Sequence, residues 1–421
     1  MNLSVFSLHR LAPRMALLFS CLFIALGLNA QSFDVGDLTY TVLQNDASAV
    51  QVTRGNKHFY DLTIPSTVSY KDHSYTVKHI GNNAFYGNGY KIYHDVVLPP
   101  TIETIGAQAF TSNGDMTSVT FASGQAPRLR VIGDEAFSGC RKMTTLFEMP
   151  STLEEIGKGA FSGCWALKGT ILLPENLKTI GSGCFSSCRS ISGFRFAVTS
   201  MADLLDGNRC LVNMRDDASW VCPVSIAPNV ERIPSYLFGS LGRYSVTFEP
   251  GSRCKEIAAY GLEYVGGRLE LPEGLVTIGN HAAYGTISGT PPLHLVLPST
   301  VQTIGNHAFR YCTSLSSLTC ARATPPAVYE NAFSNAADPS SCTLYVPLHC
   351  ASAYRGSNVW QQFFIEEADL TGISQPTVDD IDGSGSVKQR FGLGGQHLSS
   401  PTKGINIVRM SNGRVRKVVV K

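Results

Sequence analysis

Cys140, Cys164, Cys188 and Cys312 share one position of a recurring pattern, and the first three stand at a step of 24 residues. Thiols repeated in this way could hold a metal, close disulfides or pack as small apolar side chains. A zinc site needs four ligands converging on one point, whereas one thiol per repeat makes a single file. The spacing therefore predicts a ladder of buried thiols. Cys210/Cys222 and Cys342/Cys350 could close as disulfides in an oxidising compartment. His281 and His307 occupy equivalent places in two Ile-Gly-Asn-His-Ala segments. Two imidazoles with no third ligand favour a solvated pair over a metal site. The run Asp380-Ile381-Asp382-Gly383-Ser384-Gly385 opens like a calcium loop, but its twelfth position is Phe391, where a carboxylate is required. Asp203, Asp206 and Asp217 would make an acidic centre only if a pocket brought them together. There is no GxSxG, HExxH, phosphate-binding loop or dinucleotide fingerprint. No basic stripe with interleaved aromatics speaks for nucleic acid. The residues thus predict a non-enzymatic protein with no cofactor and no metal.

The elements that must position these side chains come from the repeat itself. The clearest copies are Ile132 to Cys140 (IGDEAFSGC), Ile156 to Cys164 (IGKGAFSGC) and Ile180 to Cys188 (IGSGCFSSC). The same opening residue recurs at Ile80, Ile105, Ile233, Ile257, Ile278, Ile304 and Val328. Five residues on stand Phe85, Phe110, Phe137, Phe161, Phe185, Phe238, Leu262, Ala283, Phe309 and Phe333. A fixed period in this range marks a solenoid. Ala283 leaves its coil short of a large side chain, and Tyr284 is the nearest candidate to fill the space. The Gly after most of the isoleucines is expected to permit a turn that a side chain would crowd. Before each block lies an alternating apolar pair, often closed by Pro, as in Val96/Leu98-Pro99, Ile171/Leu173-Pro174 and Leu295/Leu297-Pro298. Phe147/Met149 and Leu269/Leu271 fill the same slot. Alternation with period two is a strand signal, and Pro ends the ladder. The expectation is one short strand per coil.

Residues 1–30 read as a signal peptide, with His9, Arg10 and Arg14 before the apolar stretch Met15 to Leu28 and a cleavage site before Gln31. Residues 31–60 lack the repeat, and their alternation predicts an N-terminal cap, which a solenoid needs to cover its exposed core. The solenoid spans 61–346, with an irregular segment at 200–222. Residues 347–370, with Tyr354, Trp360, Phe363 and Phe364, predict a C-terminal cap; 371–389 is a Gly/Ser/Asp-rich linker and 390–421 a separate tail. In the tail, Ser411-Asn412-Gly413 suits the turn of a closing hairpin. A composition of 43% hydrophobic and 16% charged residues is that of a globular chain, and a net charge of +2 singles out no polyanionic partner. No stretch after the signal is long enough to cross a bilayer as a helix.

The IGxxAFxxC blocks joined by xLxLPxxL segments resemble the BspA-type leucine-rich repeats of bacterial surface proteins. The closing segment Val346-Pro347…Tyr354…Trp360…Phe363 resembles the end of such arrays. The tail is similar to the sorting signals carried by proteins exported through the type IX route in Bacteroidetes. The resemblance implies a leucine-rich repeat solenoid of about 12 coils, with stacked short parallel strands, turns and short helical segments, capped at both ends. It also implies a cell-surface or secreted location, and adhesion to host extracellular matrix or other cells through protein or glycan ligands.

One residue between each inward pair must point outward: Thr63, Val97, Thr120, Glu148, Leu172, Arg195, Ser225, Thr247, Glu270, Val296, Thr319 and Tyr345. A neighbouring row holds Asp61, Asp95, Leu146, Arg268 and His294. Stacking would align both rows on one face, a varied surface on a stiff frame. From these rows Glu148, Leu172, Arg195, Arg268, Glu270, His294 and Tyr345 are the candidate ligand-binding residues. The competing expectation is a structural or scaffolding component of the cell envelope, for which this face would be ordinary solvated surface.

Overall fold

The computed structural model describes residues 31–370 apart from 56, 88–90, 204–220, 239–243, 267–268 and 286–292, together with the backbone of three strands in the tail. The chain winds into a β-solenoid of about 12 turns with little helix. The isoleucines that open the blocks stand in a column. Ile80, Ile105, Ile132, Ile156 and Ile180 are direct partners in a parallel ladder. Ile233, Ile257, Ile278, Ile304 and Val328 continue as a second one. Beyond Ile80, each strand in these ladders is only two residues long, as at Thr104–Ile105 and Thr179–Ile180. A dipeptide cannot display alternation, which is why the sequence suggests one strand per coil where most coils carry two.

The strands of the apolar pairs form three separate parallel sheets of four. The first joins Leu62–Thr63, Asp95–Leu98, Ser118–Phe121 and Thr145–Leu146. The second joins Gly169–Leu173, Ile191–Phe196, Cys222–Ile226 and Tyr244–Phe248. The third joins Leu293–Leu297, Leu315–Cys320, Thr343–Pro347 and Phe364–Ala368. Two expected strands differ. Leu146, not Phe147, is the partner of Val119. Phe147 instead packs its ring 4.8 Å from Phe121, and the ladder stops before Glu148. Leu269 and Leu271 are buried as an inward pair, but the chain between them is not paired as a strand.

The blocks expected to hold short helical segments are turns. All but the block of Val328 have a residue with left-handed backbone at the same position: Asn83, Gln108, Glu135, Gly159, Gly183, Tyr236, Tyr260, His281 and His307, with φ between +54° and +62°. From that residue on, alternate N–H groups point along the solenoid axis. Gln108 N donates to Asp134 O at 2.8 Å, Phe110 N to Ala136 O at 2.7 Å and Ser112 N to Ser138 O at 2.8 Å. The turns are thus tied coil to coil by backbone hydrogen bonds, which a helix would have spent within itself. Among the described residues the α-helix is confined to Ala351–Arg355.

Inside, the phenylalanines stack face to face. Ring centroids are 5.3 Å apart from Phe85 to Phe110, 5.2 Å to Phe137, 5.4 Å to Phe161 and 5.2 Å to Phe185. Ala283 is buried, but Tyr284 does not fill its coil; it turns outward against Tyr264 and Tyr311. The thiol row is a hydrogen-bonded column. Cys140 Sγ donates to Phe110 O at 3.2 Å, Cys164 to Phe137 O at 3.2 Å and Cys188 to Phe161 O at 3.1 Å. Asn113 occupies the same position one coil earlier and donates to Phe85 O at 2.6 Å. The position therefore selects a short donor for the phenylalanine carbonyl of the preceding coil. Cys342 and Cys350 are both free thiols, so a disulfide between them is not formed. Cys210 lies outside the described residues. Burial pushes the Cys140 and Cys188 thiols up to about 12. In the native protein at pH 8, Cys140, Cys164 and Cys188 should fail to react with a disulfide reagent over hours, and should react within minutes in urea, because the thiolate is the nucleophile. Rapid native labelling of any of the three, mapped by mass spectrometry, would contradict the packing.

At the start, Ser32–Val35, Leu38–Leu43 and Asp46–Gly55 run antiparallel, and Asp46–Gly55 then pairs in parallel with His73–Ile80. Phe33 stacks on Tyr70 at 4.3 Å over this end. At the other end Trp360 is fully buried and donates to Pro326 O at 3.0 Å. Phe333 of the last block meets both Trp360 and Phe363 edge on. In the tail, Val387–Gly392, Gly404–Met410 and Val415–Val420 form an antiparallel sheet. Its first strand begins within the stretch read as linker. Residues 1–30 lie outside the described residues.

Candidate functional site

The structure gathers the candidate residues into two clusters rather than one long row. In the second sheet, Leu172, Arg195, Ser225 and Thr247 are successive register partners. Leu172 is exposed. Arg195 reaches over the strand of Ser225 to Glu249, with Nε to Oε1 at 2.7 Å and Nη2 to Oε2 at 2.8 Å. That fork holds the Glu249 carboxyl below its usual range. In the third sheet, Val296, Thr319, Tyr345 and Glu366 are successive partners. His294 lies at 2.5 Å from Ser317 Oγ through Nδ1 and at 3.2 Å from Thr319 Oγ1 through Nε2. Its ring is 6.5 Å from that of Tyr345. Thr319, expected on the exposed row, is buried at 3% with His294 bonded to it. Glu148 is exposed but lies beyond its paired strand, and Glu270 is half-buried on an unpaired segment. Arg268 falls outside the described residues.

The turn edge carries two columns that the sequence did not reveal. One is aromatic. Tyr236 stacks on Tyr260 at 4.7 Å, Tyr260 on His281 at 4.4 Å, and His281 lies 4.9 Å from His307. All four sit at the left-handed position of their turns. The histidines are thus neighbours, as their spacing predicted. His307 Nδ1 meets Ser334 Oγ at 2.7 Å, and desolvation, then His307, lowers the pKa of His281. Among the described residues no group of three potential metal ligands forms. The other column follows the cysteines: Arg141, Trp165 and Arg189, one per coil. The Arg141 guanidinium lies 4.6 Å from the indole centroid and that of Arg189 5.5 Å. Residues so far apart in sequence never form a visible run. Comparing the position after each aligned Cys would have exposed them.

The opposite edge alternates in charge. Lys78 pairs with Asp46 at 3.0 Å and Glu103 at 3.4 Å. Glu154 takes Arg130 at 2.7 Å and Lys178 at 2.6 Å, and Glu231 takes Arg253 and Lys255. Glu103, Arg130, Glu154 and Lys178 line a shallow groove with Arg128, Thr152 and Asn176, whose charges are largely compensated. Asp203 is bound by Arg232 at 2.8 Å and by Ser235 N at 2.8 Å. Asp206 and Asp217 lie outside the described residues. Hydrogen bonds from Ser48 and then Lys78 lower the Asp46 pKa to about 2, and the Arg232 hydrogen bond lowers Asp203 to about 2. Glu154 and Glu231 are lowered by their basic partners. A carboxyl whose folded pKa lies below its unfolded value stabilises the fold above the unfolded pKa and ceases to as pH falls through the folded one. The melting temperature should therefore hold from pH 7 to about 5 and fall between about pH 4 and 2. Glu154→Gln should flatten part of that fall in a differential scanning series; an unchanged acid limb would show that the pair contributes nothing.

The family described as "BspA type Leucine rich repeat region" matches residues 78–204 and 288–354 in six copies. No curated protein matches the chain. Among solved structures, a leucine rich cell surface protein from Faecalibacterium prausnitzii A2-165 is 18% identical over 80% of this chain and 94% of its own, with a TM-score of 0.42. A leucine-rich repeat protein from Bacteroides ovatus is 20% identical over 80% and 99%, with a TM-score of 0.34. The Leucine Rich Repeat protein of T. pallidum is 25% identical over 50% and 92%, with a TM-score of 0.35. The coils of 78–204 and 288–354 are thus similar to BspA-type leucine-rich repeats.

Proposed function

We propose that this chain is an exported, non-catalytic binding protein that holds a protein or glycan against its strand face in adhesion to host matrix or other cells. The proposal includes a leader at 1–30 and a sorting role for 390–421. The observation that supports the binding role most is the fixed register of outward positions across parallel strands, Leu172–Arg195–Ser225–Thr247 and Val296–Thr319–Tyr345–Glu366, with Thr319 covered by His294. A ligand meeting such a face finds side chains already ordered, so little conformational entropy is lost on binding. The Arg195–Glu249 fork and the His294 contacts fix the polar groups in the two clusters.

The test is a panel of host matrix proteins, bacterial surface fractions and glycans presented to the purified chain. Saturable binding to one of them is expected, weakened about tenfold by Leu172→Asp or Tyr345→Ala, as for anchors of an interface. No saturable binding across the panel would overturn the reading.

A further inference from the structure

We propose that Tyr60, Tyr93, Asp61 and Asp95, at the entry to the first of the three sheets, form a site for a neutral oligosaccharide. The site lies apart from the clusters of the second and third sheets and does not depend on their binding anything. Phe59 and Ile92 are buried and bridged in parallel just before the strands Leu62–Thr63 and Asp95–Leu98. With those two turned in, the residues that follow them, Tyr60 and Tyr93, turn out. Tyr93 N donates to Phe59 O at 2.9 Å and His94 N to Tyr60 O at 2.8 Å, so the backbone beneath the rings is fixed. The Tyr60 ring lies 5.5 Å from that of Tyr93 and 5.9 Å from that of His94. It is nevertheless 72% exposed, the most of any large apolar side chain among the described residues.

Asp61 follows Tyr60, and Asp95 stands two residues after Tyr93. Asp61 Oδ1 accepts from Asp95 N at 3.3 Å and lies 3.9 Å from His94 Nδ1. Asp95 Oδ1 accepts from Thr117 Oγ1 at 2.7 Å and from Ser118 Oγ at 2.6 Å. Each carboxylate is thus aimed through one oxygen, and among the described residues its Oδ2 has no partner. An open ring with two oriented acceptors beside it matches the two-sided chemistry of a sugar. The C–H face of a pyranose covers the ring, and its hydroxyls donate to the free oxygens. A tyrosine has two side-chain torsions, so holding it against a ligand costs little entropy. Charge selects a neutral ligand. Neither aspartate has a Lys or Arg partner among the described residues, so an acidic sugar or a nucleic acid would be repelled. A basic peptide is opposed by Lys91, exposed three residues before His94, and the acceptors left over are single oxygens rather than the paired edge that a guanidinium takes.

The experiment titrates the full chain at neutral pH with cellohexaose, mannohexaose and a hexaose of galactose, followed by calorimetry and saturation-transfer NMR. Hexagalacturonate and hexalysine are the charged comparisons. Saturable binding of at least one neutral hexaose is expected, tighter than that of either charged probe. Tyr60→Ala should weaken it about tenfold, and Tyr60→Phe should leave it within about twofold, because the contact needs the ring and not the hydroxyl. Asp61→Asn replaces a charged acceptor by a neutral one and should weaken it about fivefold. If Tyr60→Ala unfolds, Asp61→Asn carries the test. Leu172→Asp and Tyr345→Ala should leave the sugar titration unchanged, so a failure of the other two sheets to bind anything stays distinguishable from a failure here. The proposal is overturned if no neutral hexaose binds, if a charged probe binds as tightly, if Tyr60→Ala and Asp61→Asn bind like the parent, or if Leu172→Asp weakens the sugar as much as Tyr60→Ala does.

Discussion

Truncating Phe161 to alanine is expected to lower the unfolding free energy by about 3–5 kcal/mol, toward the upper end for a buried aromatic. Phe161 is fully buried and lies parallel to Phe137 on one side and Phe185 on the other. Removing it opens a slot between two rings whose backbones cannot close on it. Phe161 N donates to Cys184 O at 2.8 Å and Phe137 N to Ala160 O at 2.7 Å, so coil spacing is set by hydrogen bonds rather than by the rings. A cavity that cannot collapse costs more than the lost transfer free energy. Because each coil touches only its neighbours, the loss falls on the two interfaces that flank this coil. The array should then unfold in two parts, and the urea m-value should drop along with the midpoint. Phe364→Ala, at a ring 57% exposed, should stay within about 0.5 kcal/mol of the parent. A Phe161→Ala protein as stable as that control would mean that the ring column does not hold the coils.

The parts legible in the sequence were those that every coil repeats with one residue type. The isoleucine and phenylalanine columns needed only a constant offset, and the inward pairs only alternation. The parts that stayed hidden depend on partners from different coils. Asn113 belongs to the cysteine column because the position requires a donor, not a thiol. A search by residue type therefore passes over it. Arg195 is outward as expected, but its partner Glu249 belongs to the second coil after it, across the strand of Ser225. Glu148 is exposed between the buried Phe147 and Met149, as expected, but it lies off the ladder because Phe147 packs on Phe121 rather than continuing the strand. The Arg141–Trp165–Arg189 column combines unlike residues at one repeat position, so no local pattern marks it.

Gly181→Ala should be among the most damaging substitutions of a single methyl group in this chain. An added Cβ would lie 2.5 Å from Gly157 C and from Lys158 Cα. Those are backbone atoms of the preceding coil, and they cannot swing aside as a side chain can. The glycine is needed for this approach and not for a left-handed turn, which in this coil falls to Gly183 at φ +62°. The expected turn explanation therefore gives way to coil contact. Relief requires the coils to part, which strains Gly181 N to Ile156 O at 2.8 Å and Gly159 N to Ser182 O at 3.0 Å. A cost of about 3 kcal/mol or more is expected, above the usual range for overpacking because the backbone itself must move. The effect should be graded along the column. At Gly133 the nearest atom is Ala107 N at 2.6 Å, and at Gly279 the nearest atoms are Ala258 C and Ile257 O at 2.9 Å. The preceding coil there already carries Ala258 at the glycine position, so its spacing has been set by a residue with a Cβ. Gly279→Ala should accordingly be the mildest of the three in urea unfolding. Gly114→Ala, with its nearest neighbour at 3.8 Å, should be near neutral. If Gly181→Ala were no more damaging than Gly114→Ala, close coil contact would not be the reason this column is glycine.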